Sequence, residues 1–162
     1  MSDSEPFISA VSTAETWSAA AKELQAGLAG FTPAAGRQAL GFLYITDVLA
    51  EDYGSIVSYL RLKTGIQHWI GSVGMGVCGN SREWFQQPAC VAMIGDLPKD
   101  SFAVVPRLGE SVDELGDDLK TWMASAMPPF GIVHGDPMNN AVPGLIEGLA
   151  QEMENAVLEV PG

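Results

Sequence analysis

Apolar and polar positions switch between two periods along the chain. Residues 6–11, PFISAV, make an apolar run short enough for a strand, and Trp17, Ala21, Leu24 and Leu28 then recur on one helical face. Ser12 and Glu15 have the spacing of a capping box, which predicts the helix start, while Gly30 and Pro33 predict its end. ALGFLYIT, residues 39–46, is apolar almost throughout, as expected of a strand covered on both faces. A second helix is predicted over Tyr53–Thr64, with Ile56, Val57 and Leu60 inward and Gly65 as its stop. ACVAMIG, residues 89–95, predicts another strand, and Ser101–Val105 a further short one. Ser111 and Glu114 repeat the capping-box spacing ahead of Leu115, Leu119, Trp122 and Ala126. Pro128-Pro129 breaks that helix, FGIVHGDP at 130–137 predicts strand then turn, and Pro143 opens a last helix facing inward through Leu145, Leu149, Met153 and Val157.

Strand, helix, strand, helix, strand is the order of an α/β fold, and the adjacent strands around residues 66–95 predict a mixed β-sheet with flanking helices. A length of 162 residues predicts one α/β domain, with room for two small lobes. FLYITD, residues 42–47, and FGIVHGD, residues 130–136, each lead into a helix, which suggests an internal strand-helix-strand repeat. On that pattern a second glycine-rich strand would follow residue 162, so the chain is expected to be part of a longer protein.

GSVGMGVCG, residues 71–79, contains a literal G-x-G-x-x-G at Gly74, Gly76 and Gly79. A dinucleotide fingerprint needs those glycines to turn a strand directly into a helix whose amides meet the pyrophosphate. Here NSREWFQQP follows; it has no helical apolar face, and Pro88 holds Gln87 extended. A strand comes next, so Asp96, twenty residues past Gly76, lacks the context of a ribose-binding acid, and no Gly-Lys-Ser/Thr of a phosphate loop occurs. As a strand, the stretch puts Gly71, Val73, Met75, Val77 and Gly79 on one face and Ser72, Gly74, Gly76 and Cys78 on the other. The second face is small and mildly polar. It can floor a shallow ligand pocket or seat a closely packed neighbour.

Charge narrows the partners. Twenty acids against eight bases give −12, a surface that repels phosphate backbones and anionic lipid, so neither nucleic acid nor membrane is expected. Apolar content of 47 % supports a real core. Two cysteines spaced by twelve, without a His or Cys cluster, predict free thiols, no metal centre, no cofactor and a cytoplasmic setting. Cys78 is a candidate nucleophile with His68 or His134 as base, against the plainer reading of a small packed residue. His134 and Asp136 stand at a predicted strand end, where open α/β sheets bind ligands, and Asp47 has the matching place in the repeat. Asp136 can equally cap a turn before Pro137. Glu110, Asp113, Glu114, Asp117 and Asp118 fit a solvated helix start better than a cation loop. Arg82 and Glu83 are expected in a loop beside Trp84 and Phe85, as a gate or a cover for the strand ends.

Trp69-Ile-Gly-Ser-Val-Gly-Met-Gly-Val77, the loop with Glu83, Pro88-Ala-Cys-Val-Ala-Met-Ile94, and Phe130 to Pro137 together resemble the N-terminal half of the FIST sensory domain, over roughly residues 15–160. The resemblance implies a signalling module that binds a small molecule, with amino acids the leading class. It also implies a C-terminal FIST half or a signalling output domain as partner. The ligand-binding residues expected from the small-residue strand and the predicted strand end are Gly71, Ser72, Gly74, Gly76, Cys78, His134 and Asp136. A Cys78-dependent hydrolase or transferase and a protein-interaction scaffold are the alternatives.

Overall fold

The computed structural model describes residues 7–105 and 107–158, with side chains to residue 154. It divides into two compact units, Met1–Lys99 and Asp100–Gly162. The first contains β1 (Phe7–Ser12), α1 (Trp17–Gly27), β2 (Arg37–Thr46), a 3-10 turn (Asp47–Asp52), α2 (Tyr53–Thr64), β3 (His68–Gly74), β4 (Gly76–Gly79), β5 (Arg82–Phe85) and β6 (Cys90–Pro98). Four strands form one sheet in the order β1-β6-β2-β3, and β4 pairs with β5 in a separate ribbon. β2 and β3 run parallel, so α2 must serve as the crossover between them. β6 runs antiparallel to both β1 and β2. The mixed α/β architecture expected from the pattern is the one observed.

β2 is central because both of its faces are apolar. Leu43 and Ile45 join Cys90, Ala92 and Ile94 of β6 in the core that also takes in Ala20, Ala21 and Leu24 of α1 and Ile56, Val57 and Leu60 of α2. On the alternate face Leu40 and Phe42 are buried as well. Gly41 lies under the Trp69 indole, where a Cβ would overlap the ring. The indole N–H donates to the Ile66 carbonyl at 2.9 Å, so its polar edge is satisfied in the core.

The first helix starts later than its spacing predicts. Ser12 still belongs to β1, opposite Cys90, and is 2 % exposed. Its hydroxyl donates to the Glu23 carboxylate at 2.6 Å and accepts from the Ala14 N–H at 3.2 Å. The N-cap is Thr16, which accepts from the Ala19 N–H at 3.4 Å. Sheet pairing outcompetes the local box because the ladder already commits Ser12 to extended backbone. The second helix keeps its predicted bounds, and Gly65 closes it at φ 75° with its N–H donating to the Arg61 carbonyl at 3.0 Å. Arg82 and Glu83, expected in a loop, are strand residues of β5. The turn before them, Asn80-Ser81, has positive φ at both positions and folds β4 straight back onto β5. Asp96 is the ion-pair partner of Arg37, whose Nε lies 2.9 Å from a carboxylate oxygen, so its spacing from the glycines has a purely structural outcome.

In the second unit α3 (Asp117–Ala126) packs against α4 (Val142–Leu158). Leu115, Met123 and Leu145 are its buried apolar residues among those described. The Ser111–Glu114 capping box forms, but it closes a 3-10 turn at Val112–Glu114; Leu115 is extended and α3 begins after Gly116. The Glu114 carboxylate accepts from the N–H groups of Glu110 at 2.8 Å, Gly109 at 2.9 Å and Ser111 at 3.0 Å. These donors hold its pKa below the ordinary glutamate value. A lowered carboxylate pKa means the loop is supported above the unfolded-state pKa and loses that support as pH falls through the folded value. Protection factors of the amides at 109–111, corrected for intrinsic exchange, are therefore expected to fall on acidification, and Glu114→Gln to flatten the dependence.

Two expected strands are not formed. Residues 101–105 and 130–134 form no strand among the described residues. Apolar alternation specifies a strand only where another strand offers its backbone. A helix follows each of the two matched segments, α2 and α4, but the second segment forms no strand among the described residues. Val157 lies outside the residues whose side chains are described.

Candidate functional site

The expected continuous small-residue face is broken at Met75. β3 ends at Gly74, Met75 bends the chain, and β4 leaves the main sheet to pair with β5. Ser72 and Gly74 thus stand on the parallel ladder opposite Tyr44 and Thr46, whereas Gly76 and Cys78 stand opposite Phe85 and Glu83 in the ribbon. Three glycines are required by close neighbours. Gly71 has φ 147°, and a Cβ there would overlap the Leu43 carbonyl oxygen. Gly76 is covered by the Phe85 ring of its own hairpin, and a Cβ on Gly79 would lie 3.0 Å from the side chains of Val11 and Val91. The ribbon is in this way seated on the β1–β6 side of the sheet. For Gly71, Gly76 and Gly79 the neighbours are protein atoms, the packing outcome that the parity argument allowed.

The carboxyl edge of the β2–β3 pair is open. Thr46, fully buried, ends β2; its hydroxyl donates to the Gln87 carbonyl at 2.8 Å and accepts from the Ala89 N–H at 3.0 Å. That clamp ties the strand end to the segment entering β6. Asp47 and Val48 follow in the 3-10 turn, while Val73 and Gly74 are still paired with Ile45 and Thr46 and Met75 comes next. Asp47 is exposed, Val48 is 53 % exposed and Met75 81 %. Ser72 is half-buried just inside this edge. Hydrophobic patterning gave no sign of Thr46; an alternation signal treats a buried hydroxyl at a strand end as an interruption. Thr46→Val, which keeps the shape and removes both bonds, is expected to cost about 1–3 kcal/mol in urea unfolding.

Cys78 is exposed on β4 and Cys90 is buried in the core. Burial pushes the Cys90 thiol up to about 12, so it carries almost no thiolate at neutral pH. Maleimide on the folded protein is expected to add one label, at Cys78, with the second appearing only in denaturant; intact-mass measurement distinguishes the two. His68, offered by spacing as a base for Cys78, opens β3, and the length of that strand, roughly 20 Å, separates it from the bend into β4.

His134 and Asp136 belong to the second unit. Both are exposed, and partial desolvation holds the His134 imidazole below its ordinary pKa. Asp136 accepts from the Met138 N–H at 2.9 Å through its carboxylate, and its carbonyl accepts from the Asn139 N–H at 2.9 Å. This is the turn-capping role weighed against a ligand role. Asn139 in turn accepts from the Ala141 N–H at 2.9 Å ahead of α4, a cap that the hydrophobic pattern does not single out.

Two concavities lie on the first unit. A groove of about 420 Å³ is lined by Trp17, Gly54, Ser55, Ser58, Tyr59 and Leu62. A smaller hollow of about 200 Å³ runs from Gln25 and Phe31 to Lys63 and Ile94. Neither is lined by a residue of the glycine stretch.

The model of the FIST N domain matches residues 39–161, from the third residue of β2 to one residue short of the last. The chain belongs to the FIST family. FIST domains are generally sensory modules of signal transduction, and the matched span takes in most of β2, α2, β3, the glycine stretch, β6 and all but the last residue of the second unit. No curated protein matches this FIST chain. Among solved structures it is similar to PurLQS from Thermotoga maritima at 12 % identity and a TM-score of 0.25, over 75 % of this chain and 23 % of that one. This FIST chain thus spans less than a quarter of that protein's length. No helix among its described residues is long and apolar enough to cross a membrane.

Proposed function

We propose that this FIST chain is a ligand-sensing module and that its small molecule docks at the carboxyl edge of the β2–β3 pair. The observation that carries the reading is that β2 and β3 end level, Thr46 opposite Gly74, with Asp47, Val48, Val73 and Met75 exposed beside half-buried Ser72. Open α/β sheets bind ligands outside the carboxyl ends of their strands. Asp47 offers a carboxylate to a cationic amine, Val48 and Met75 offer adaptable apolar contact, and Ser72 with the Gly74 backbone offers short polar groups. Amino acids and related metabolites are the class to test first. Gly71 shapes the edge through its packing on Leu43, while Gly76 and Cys78 stand apart in the β4–β5 ribbon.

Occupancy would act by favouring one arrangement of the edge segments over another, and a C-terminal FIST half or an output domain in the cytoplasm would read that bias. Thermal unfolding of the full-length protein with a panel of amino acids tests the reading. A ligand at a hundred times its Kd is expected to add about 2.7 kcal/mol. Asp47→Asn and Met75→Gln are each expected to weaken binding about tenfold, roughly 1.4 kcal/mol, without moving the unliganded midpoint. Absence of a shift across the panel, or a shift that both variants leave untouched, would overturn the site.

A further inference from the structure

The second unit keeps few of its apolar side chains inside. Leu115, Met123 and Leu145 are buried, whereas Met127, Phe130, Ile132, Val133, Met138 and Ile146 are 45–85 % exposed. Apolar residues exposed singly are ordinary; a group of this size between positions 127 and 146 marks a contact surface. Two glycines fix the segment that carries most of it against α4. A Cβ on Gly131 would lie 3.6 Å from the Met153 sulfur, and one on Gly135 2.9 Å from a Val142 methyl. Residues 131–135 therefore run antiparallel to α4, beside its row Val142, Ile146, Leu149, Met153. Ile146 stands in that row between the two contact points, and Ile132 and Val133 stand between them on the segment. Phe130 precedes the segment and Met138 follows it.

We propose that this face docks a basic amphipathic helical segment of another protein. Charge selects that occupant. Residues 127–154 hold Asp136, Glu147, Glu152 and Glu154 and no lysine or arginine. Asp136, Glu147 and Glu154 are exposed, and Glu147 directly follows Ile146 on α4. Carboxylates around exposed apolar side chains attract a partner with an apolar centre and a lysine or arginine margin. The same charges oppose other occupants: a second copy brings a further net charge of −12, and anionic lipid or nucleic acid brings phosphates. Width selects a helix. The apolar side chains come from two rows, the segment and α4, which together are wider than the single face of a strand and suit the stripe of an amphipathic helix. Met127 and Met138 add thioethers that adapt to the shape of incoming side chains. The surface lies within the second unit, so it stands whether or not a small molecule docks at the β2–β3 edge.

Fluorescence anisotropy of labelled peptides of about 18 residues, five turns of helix, titrated with the 162-residue chain tests this. The first peptide sets leucine at helical spacing with lysine elsewhere. A second has the same composition with the two residues alternating, and a third replaces lysine with glutamate. The first is expected to bind with a Kd on the order of 10 µM, and the other two about tenfold more weakly. Phe130→Ser with Ile132→Ser, both at exposed positions, is expected to weaken binding about tenfold without moving the melting temperature. Glu147→Lys with Glu154→Lys is expected to do the same. Equal binding of the alternating peptide would mean bulk charge attraction and overturns the proposal. So does binding that the Phe130 and Ile132 changes leave untouched, or no binding at about 300 µM chain. Sedimentation velocity of the chain alone covers a second copy: self-association that Phe130→Ser abolishes overturns the proposal as well.

Discussion

Gly71→Ala is expected to leave the first unit unfolded or nearly so. The position combines φ 147° with a Cβ site that overlaps the Leu43 carbonyl of the adjoining strand. A side-chain clash can relax by a rotamer change; this one is with backbone, and relief requires β3 to move off β2 along their shared ladder. The cost should exceed about 4 kcal/mol, a large part of the stability of about 5–15 kcal/mol typical of a domain. Thermal midpoints should fall by about 15 °C or more. Gly65→Ala is the control, since Gly65 also has positive φ but open space around it, and about 1 kcal/mol is expected there. A Gly71→Ala protein within about 1 kcal/mol of the parent in urea would show that β3 does not pair with β2 as described.

The second large effect is at Gly41 and Trp69. Gly41→Ala forces a methyl group into an indole that is 7 % exposed and held by its bond to Ile66. Over-packing of this kind costs about 1–3 kcal/mol. Trp69→Leu leaves a cavity and loses the hydrogen bond, at about 3 kcal/mol. Together the two changes should cost less than their sum by at least about 1 kcal/mol, because the new methyl group occupies part of the vacated volume. Denaturant unfolding of the four proteins in the cycle measures this. Additive costs would mean that the indole does not cover Gly41.

Much of the architecture was legible because it rests on local chemistry. Continuous apolarity identified β2, a clear period and a terminal glycine bounded α2, and the apolar run after Pro88 marked β6. The segment after the glycines lacks a helical face, which ruled out a dinucleotide loop, and that segment forms β5. Expectations went astray where two local signals competed or where a partner was needed. Ser12 matched a cap, yet the ladder with Cys90 held it in β1. Phe130–His134 has the composition of a strand but is not one among the described residues.

The candidate site divides along the same line. Sequence alone determined that a run of small residues lies between two apolar strands, that Cys78 and Cys90 have no local partners, and that the chain is strongly acidic. Period and composition suffice for such statements, because they depend on neighbours along the chain. Tertiary structure alone decided that the run breaks at Met75 and that Gly71 answers to Leu43 and Gly76 to Phe85. It also decided that Thr46 clamps the strand end beside which Asp47 and Met75 stand exposed. A glycine records only that room is needed; which atoms take that room is fixed by strands brought together from distant parts of the chain.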